Sequence, residues 1–551
     1  MKVLKIAFLI ILIISTVSFI GFKLYSYFLI RSISSAVSHA FLPDSQSKEN
    51  DNSFLALKSV IKDKTIIGFG EATHGTIELR AAFCVLAKRL IEDGEVNVVA
   101  FGERDFSEIT DLNSYVRYGD DNATGQHLLP YATDAEQDLV LWIRNFNKGK
   151  DEKEKVDVIG LDIYNVRAAA SNILTILKSY DLEASPEQIQ ILNVISSLPF
   201  YYNIYKDKYP IDRVLSIADT LEAEVKKNKD IIQDDPLLFQ ILETFRLSVQ
   251  FRYTGDQRLR DAGMFNNLLW AMEQRPSKTL IFGHNSHLEK EVGNTLSSGV
   301  PRLGHMISER FADEYLVIGS DLSEGKYQAG PNNMIYNIPT SYNKIGNILA
   351  KCLKDSSGYL FWNKTDTLRR FFNNDRFITY GVLDTYAPTY PIHKNSSDAF
   401  DILYWSEKST PAVISGNNSF TLFLPISKNT NANLMGADSI SISLSSTFSH
   451  LSDKLGNPTY SFGIAQFSEG KNIVYDFVKM DYSDNRNLLL DIKDNCDSLN
   501  FIIYGESVDN VILKDLYINE KSFPITKMLY DGKSYNSKKI NDSSLELSLS
   551  H

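Results

Sequence analysis

Cysteine is scarce in this chain. Cys84, Cys352 and Cys496 are the three in 551 residues, they lie far apart, and no CxxC pair occurs. An odd count at such spacing excludes a disulfide scaffold and a cysteine-ligated zinc site. A thiol nucleophile finds no support either, since Cys84 falls in an apolar helical pattern and reads as core. Grouped basic residues are missing as well. Lys and Arg total 57 against 68 Asp and Glu, a net charge of −11. That balance excludes nucleic acid as a partner, because phosphate contacts need clustered Lys and Arg. No internal repeat, low-complexity tract or G-x-S-x-G elbow is present, and the last absence removes the usual serine-esterase route.

What remains is ordinary globular usage, with 43% hydrophobic and 23% charged residues. A fully disordered chain, a collagen-like fibre and a polytopic membrane protein are thereby ruled out. The length exceeds what one core supports, so two or more domains are expected. Aromatics are frequent (28 Tyr and 31 Phe, but 4 Trp). They suit β-structure and sugar- or ligand-facing surfaces without choosing between them.

The first residues set the expected compartment. After Lys2 and Lys5 an uncharged run extends from Ile6 to Phe22, about 17 residues, near the lower limit for a membrane span. No cysteine follows it and no A-x-A cleavage signature appears, so an uncleaved signal-anchor over 1–35 is expected. Lys2 and Lys5 would then stay in the cytoplasm and the rest of the chain outside, in the periplasm or at the cell surface. Residues 36–52 read as a linker, the polar stretch Asp44–Ser53 being its clearest part.

From residue 53 short apolar runs alternate with helical periodicity. The strand candidates are Thr65–Phe69, Val96–Phe101, Val156–Leu161, Thr279–Gly283 and Tyr315–Gly319, with Phe400–Trp405 as the last. None alternates cleanly, which fits strands buried on both faces. Helices are expected over Glu78–Ile91, stopped by Gly94, and over Asp134–Asn145. Residues 165–275 read as a helical excursion walling the site. The pattern predicts an α/β domain over 53–412, with a central, mostly parallel sheet and helices on both faces. After 413 the strands shorten, alternate polar and apolar positions, and are separated by Asn, Asp, Gly and Ser. A β-sandwich of jelly-roll type is expected over 413–551.

Each of the first five strands is followed closely by an acidic or imidazole side chain: Glu71 and His74, Glu103 and Asp105, Asp162, His284 and His287, Asp321. In open parallel sheets ligands sit beyond the carboxyl ends of the strands, so these groups converge if the strands are parallel. In Gly68–Glu78 the glycines let the backbone turn and Thr73 is placed to cap the next helix. Glu71 and His74, three apart, share a face in a helical turn. A carboxylate beside an imidazole raises its basicity, as a general base for water requires; alternatively this is a loop leading into a helix with incidental polar groups. The pair His284 and His287 suits a metal, a second base or oxyanion donors, or a hydrogen-bonded turn. Glu103 is either a site carboxylate or the ion-pair partner of Arg104 or another base. Arg260 pairs with Asp261 or clamps an anionic group. His127 and His305 are weaker candidates. His39, His393, His450 and His551 lie outside the convergent set.

At these residues the sequence resembles the erythromycin esterase family. The resemblance rests on GEATHGTIE (Gly70–Glu78), VVAFGE ending at Glu103, GLD (Gly160–Asp162), RDAGMFNN from Arg260 and FGHNSH from Phe282. LGHMISERFADEYLVIGSDLSEG from Leu303 and FDILYWSEKSTPA (Phe400–Ala412) complete it. It covers about 53–412 and leaves the C-terminal sandwich out. It implies metal-independent hydrolysis of an ester or lactone, with His74 activating water and Glu71 and Glu103 orienting it. His284 and His287 would stabilise the tetrahedral intermediate or pass a proton to the leaving alcohol. The family's arginine in the helix after the histidine falls at Phe83 here; Arg80, one turn earlier, is the candidate substitute. With Arg260 and Asp162 it makes up the expected substrate-binding set.

The expected function is therefore an exported, membrane-anchored hydrolase needing no cofactor and acting on a small ester or lactone other than a macrolide. Two alternatives stay open. One is a metal-dependent hydrolase of the TIKI type, with His74, Glu71, Glu103 and a later histidine holding Mn²⁺, Co²⁺ or Zn²⁺. The other is a non-catalytic surface protein whose sandwich binds carbohydrate.

Overall fold

The computed structural model describes residues 2–44, 52–119, 132–197, 209–227, 236–291, 300–329, 334–338, 345–353, 356–362, 365–372, 379–382, 390–393 and 396–412. Beyond 412 it describes the backbone of the strands between 420 and 549. The chain divides into two compact units, each made of two separate stretches: Met1–Gly102 with Pro276–Val413, and Glu103–Arg275 with Ile414–His551.

The first unit holds α1 (Lys2–Ala40), α2 (Asn52–Ile61) and α3 (Ile77–Glu92), with strands β1 (Phe41–Pro43), β2 (Ile66–Glu71) and most of β3 (Val98–Asp105). The second carries β4 (Asp157–Asp162) and helices α4 (Thr110–Tyr118), α5 (Asp134–Asn147), α6 (Val166–Ser179), α7 (Pro186–Ser197), α8 (Ile211–Lys227), α9 (Leu237–Thr254) and α10 (Gln257–Gln274). The chain returns to the first unit with β5 (Thr279–His284), α11 (Asn285–Leu288), α12 (Leu303–Phe311) and β6 (Tyr315–Ala329). It continues through β7 (Met334–Asn337), α13 (Ile345–Cys352), β8 (Ser357–Leu360) and α14 (Asp366–Phe372). The hairpin β9 (Thr379–Val382) and β10 (Tyr390–His393), α15 (Ser396–Ala399) and β11 (Ile402–Ser409) close it.

In the first unit the sheet runs β1-β8-β11-β6-β2-β5-β3, with β7 also on β6. The central pairs β11–β6, β6–β2, β2–β5 and β5–β3 are parallel. The edge pairs β1–β8 and β8–β11 and the pair β6–β7 are antiparallel. Helices cover both faces of this mixed sheet. Every residue of β2 and β5 is buried, which explains why neither alternates in sequence. α3 lays Leu79, Ala82, Phe83, Leu86, Ala87 and Leu90 inward, the spacing of one helical face. Gly94, at φ 69°, turns the chain away where the sequence placed the stop. Phe83 stacks on Phe282 with ring centroids 4.4 Å apart, so the position that the resemblance gives to an arginine is core here.

At the N-terminus the expected linker needs correction. Lys2–Ala40 form one helix of 39 residues, but among the described residues no helix is long and apolar enough to cross a membrane. Lys23 and Arg31 follow the uncharged run, and the last turns of α1 are committed to the protein core. Ile33, Val37 and Ala40 are buried with Phe41, Leu349, Trp362, Phe372 and Trp405. The start of the segment expected as a linker thus belongs to α1 and to β1, which pairs with β8.

In the second unit a helical cluster packs Ile173, Leu192, Ile217, Leu221, Leu242 and Phe245 together, as the long helical stretch in sequence requires. Beyond 412 the backbone forms antiparallel sheets of four and six strands. The strands expected there are present.

Burial of α1 yields a test. Val37→Asp places a charge among apolar side chains and is expected to cost about 3 kcal/mol or more of stability. Denaturant unfolding of the full chain measures it, and an unchanged midpoint would place α1 outside the core.

Candidate active site

The parallel register of β2 and β5 sets Glu71 opposite His284 at the carboxyl ends of the two strands. Both are buried, at 1% and 2% exposure. The chain then turns rather than continuing as helix, and the turn brings His74 back over the strand end. Nδ1 of His74 donates to Glu71 Oε1 at 2.6 Å. The second carboxylate oxygen, Oε2, lies 3.3 Å from Nε of Arg80, which is buried on α3. The His74 ring lies 5.0 Å from that of His284, centroid to centroid, at 59°. His74 is about a third exposed while Glu71 and Arg80 are not, so the imidazole is the member of the set that meets solvent.

A carboxylate only accepts, which fixes the His74 proton on Nδ1 and leaves Nε2 as the basic nitrogen. At His284 the order is reversed. Nδ1 accepts from the backbone N–H of Ser286 at 3.2 Å, and Ser286 Oγ stands 2.8 Å away. His287 is buried on α11.

The turn that carries His74 is clamped from behind. The Gly75 carbonyl accepts from Gln328 N and from Ala412 N, at 2.9 and 2.8 Å. Thr76 bridges to Pro411, and Ile77 N donates to the Thr410 carbonyl. Thr73, expected to cap α3, instead accepts from Gly75 N within the turn; the helix cap is Thr76. An added Cβ on Gly75 would stand 1.7 Å from the Gln328 oxygen, and one on Gly70 would stand 2.3 Å from Oδ1 of Asn285. Asn285 fills that room, giving Nδ2 to the Ser320 carbonyl and accepting from Ser320 N. It links β5 to β6 past the point where β2 ends. Sequence reasoning missed Asn285 and Ser286, although both stand inside the GHNSH segment that was read for its histidines.

In the second unit the end of β3 and β4 place Glu103, Asp105 and Asp162. Arg260 reaches Asp162 with Nε at 2.9 Å and Nη2 at 2.5 Å. Asp162 is thus its hydrogen-bonded partner. Burial alone would lower the Arg260 pKa, but the charges of Asp162, Glu103 and Asp261 outweigh it and hold the guanidinium protonated. Arg260 and Asp162, both expected at substrate, are turned toward each other, as Arg80 is toward Glu71. Burial, reinforced by the Asp162 charge, pushes the Asp105 carboxyl well above the usual range. Arg104 Nη2 lies 3.7 Å from Glu136 Oε1, and Glu103 is half-buried. His305 bonds the Lys290 carbonyl and Glu309, and His127 and Cys496 lie outside the described residues. Cys84 is buried, and burial pushes the Cys352 thiol up to about 11, so Cys352 offers no thiolate at neutral pH.

Residues 91–409 match the erythromycin esterase family. The chain belongs to that family. By membership it is an ester-hydrolysing enzyme. The erythromycin esterase match includes Glu103, Asp162, Arg260 and both histidines of β5–α11, and begins after the turn that bears His74. Two curated relatives agree with it. Erythromycin esterase type II of Escherichia coli is 21% identical over 315 residues, 49% of this chain and 72% of its own. The protein YbfO of Bacillus subtilis (strain 168) is 22% identical over 318 residues, 50% and 69% of the two chains. A Bacillus cereus protein of solved structure, 24% identical, covers 70% of this chain and 99% of its own with a TM-score of 0.58; that likeness shows the fold.

The clamp behind His74 is testable. Gly75→Ala must displace the turn, and is expected to lower ester hydrolysis about tenfold or more while the melting temperature falls by a few degrees. A variant with the parent rate would show that the turn tolerates movement.

Proposed function

We propose that this erythromycin esterase homologue hydrolyses a carboxylic ester or lactone by direct attack of a water molecule, with His74 as general base. The hydrogen bond from His74 Nδ1 to Glu71, beside His284, carries the reading. Water gives its proton to His74 Nε2 as its oxygen bonds to the acyl carbon. Glu71 keeps Nδ1 protonated and balances the imidazolium that forms. Arg80, expected at substrate, stands 3.3 Å from the second oxygen of Glu71 and supports it there. On the resemblance, Glu103 is a further candidate for orienting the water. The buried Phe83 in place of the family's arginine argues for a substrate other than a macrolide.

His74→Ala is expected to lower kcat by about 10²- to 10⁴-fold with the fold intact. Glu71→Gln, which keeps shape and loses charge, is expected to fall about 10- to 100-fold. Assays on a panel of nitrophenyl esters and lactones check both, and parent-like rates would reject the assignment. Exhaustive chelation is expected to leave the rate unchanged. A loss restored by Mn²⁺, Co²⁺ or Zn²⁺ would make these side chains metal ligands instead.

We further propose that the enzyme is exported and held at the outer side of a membrane by its N-terminal segment. Lys2 and Lys5 before the uncharged run support this, as do the exposed Val17, Phe19, Ile20, Leu24, Tyr27 and Phe28 of α1. Cell fractionation with external protease is the check: the full chain is expected in the membrane fraction and open to digestion. Recovery in the cytosol would reject it.

A further inference from the structure

We infer that Ser286 is a positioning residue that fixes the tautomer of His284, making this imidazole a hydrogen-bond donor to the oxyanion and not a second base. The inference rests on the hydrolytic reading of His74 and assigns its electrophilic partner. The deciding contact is the backbone N–H of Ser286, which donates to His284 Nδ1 at 3.2 Å. A ring nitrogen that carries a proton cannot accept an N–H, so Nδ1 is bare and the neutral ring holds its proton on Nε2. The Ser286 hydroxyl, 2.8 Å from the same nitrogen, then donates too. His74 is held the opposite way by a group that only accepts. Two imidazoles 5.0 Å apart are thus kept in opposite tautomers by what each meets at Nδ1. The first keeps a lone pair on Nε2 and the second keeps a proton there.

This division settles which of two tasks His284 performs. Giving up the Nε2 proton from a neutral ring would leave an imidazolate, far too basic to form at neutral pH. His284 therefore donates a hydrogen bond without releasing the proton. The step closes on that basis. The water oxygen bonds to the acyl carbon and its proton moves to His74 Nε2. The carbonyl π pair moves onto the carbonyl oxygen, which accepts from His284 Nε2–H. On collapse the bond from the acyl carbon to the alcohol oxygen breaks, and His74 returns its proton to that oxygen.

The test reads the ring directly and then the rate. The full-length protein with ¹⁵N-labelled histidine imidazoles is examined by two-bond ¹H–¹⁵N correlation at neutral pH, with His284→Gln assigning the signal. The neutral Nε2–H form is expected; an Nδ1–H or doubly protonated ring overturns the inference at once. Hydrolysis of 4-nitrophenyl butyrate supplies the rate, because its leaving group needs no proton and kcat reports oxyanion stabilisation. Ser286→Ala is expected to lower kcat about 5- to 10-fold with KM unchanged, and Ser286→Thr to restore most of it. Ser286→Asp, whose carboxylate accepts from Nδ1–H, is expected to flip the tautomer and lower kcat about 100-fold. Parent kcat in both the Ala and Asp variants overturns the inference even where the spectrum agrees. Full activity in His74→Ala would instead remove the hydrolytic reading and leave the tautomer as observed.

Discussion

One register governs this site: Glu71 and His284 end adjacent parallel strands directly opposite each other. Strands buried on both faces offer side chains no solvent until the backbone runs out, so polar chemistry collects at their carboxyl ends. A carboxylate at 1% exposure needs partners for its oxygens. His74 supplies a hydrogen bond to one oxygen and Arg80 a positive charge beside the other. The partners that make burial of Glu71 tolerable are also those that set its direction, and that direction fixes which nitrogen of His74 is basic. Stability and function are joined in the same three side chains.

Much of this was legible in the sequence, for identifiable reasons. The five buried strands stood out because runs such as IIGF and LIFG avoid alternation, and a doubly covered strand has no solvent face to mark. Helix α3 stood out because its apolar face repeats cleanly to the glycine that ends it. The residues at the strand ends followed from parallel topology alone. The short strands β1 and β8, of three and four residues, were not legible, since so few residues carry no periodicity. Nor were the partners of the arginines. Arg80 and Arg260 present the same sequence appearance whether they meet substrate or a buried carboxylate, and only tertiary position chose Glu71 and Asp162.

The second unit shows how such a pair is held. Asn267 of α10 donates to the Leu161 carbonyl and accepts from Gln240 and Thr244 of α9. Ser248 bonds the Ile163 carbonyl, and Arg252 bonds that of Tyr164 while stacking over its ring at 3.7 Å. Polar residues of the helical excursion thus meet the carbonyls at and just beyond the end of β4. Arg260 also lies against the Tyr164 ring, 5.1 Å from its centroid, and closes on Asp162. Burial and the neighbouring Asp162 charge push Asp105 toward its neutral form, which relieves the repulsion between two carboxyl groups set close together. A surface cut for binding an anion would leave a guanidinium less engaged than this one.

The glycines at the first site carry the last step. A catalytic imidazole on a turn is useful only if the turn cannot wander, because misplacement by an ångström forfeits much of the gain from orientation. A turn of five residues has few side chains with which to hold itself. Here the backbone does it, through Gly75 to Gln328 and Ala412 and through Ile77 to Thr410, and such contact needs an approach that any side chain at residue 75 would block. Gly70 plays the matching part for Asn285, whose amide carries the sheet beyond the end of β2. Each of these glycines is therefore required by what lies against it and not by its own backbone angles. The residues that press on the turn come from positions 328 and 410–412, some 250 to 340 places along the chain, so the precision of His74 is a property of the completed sheet.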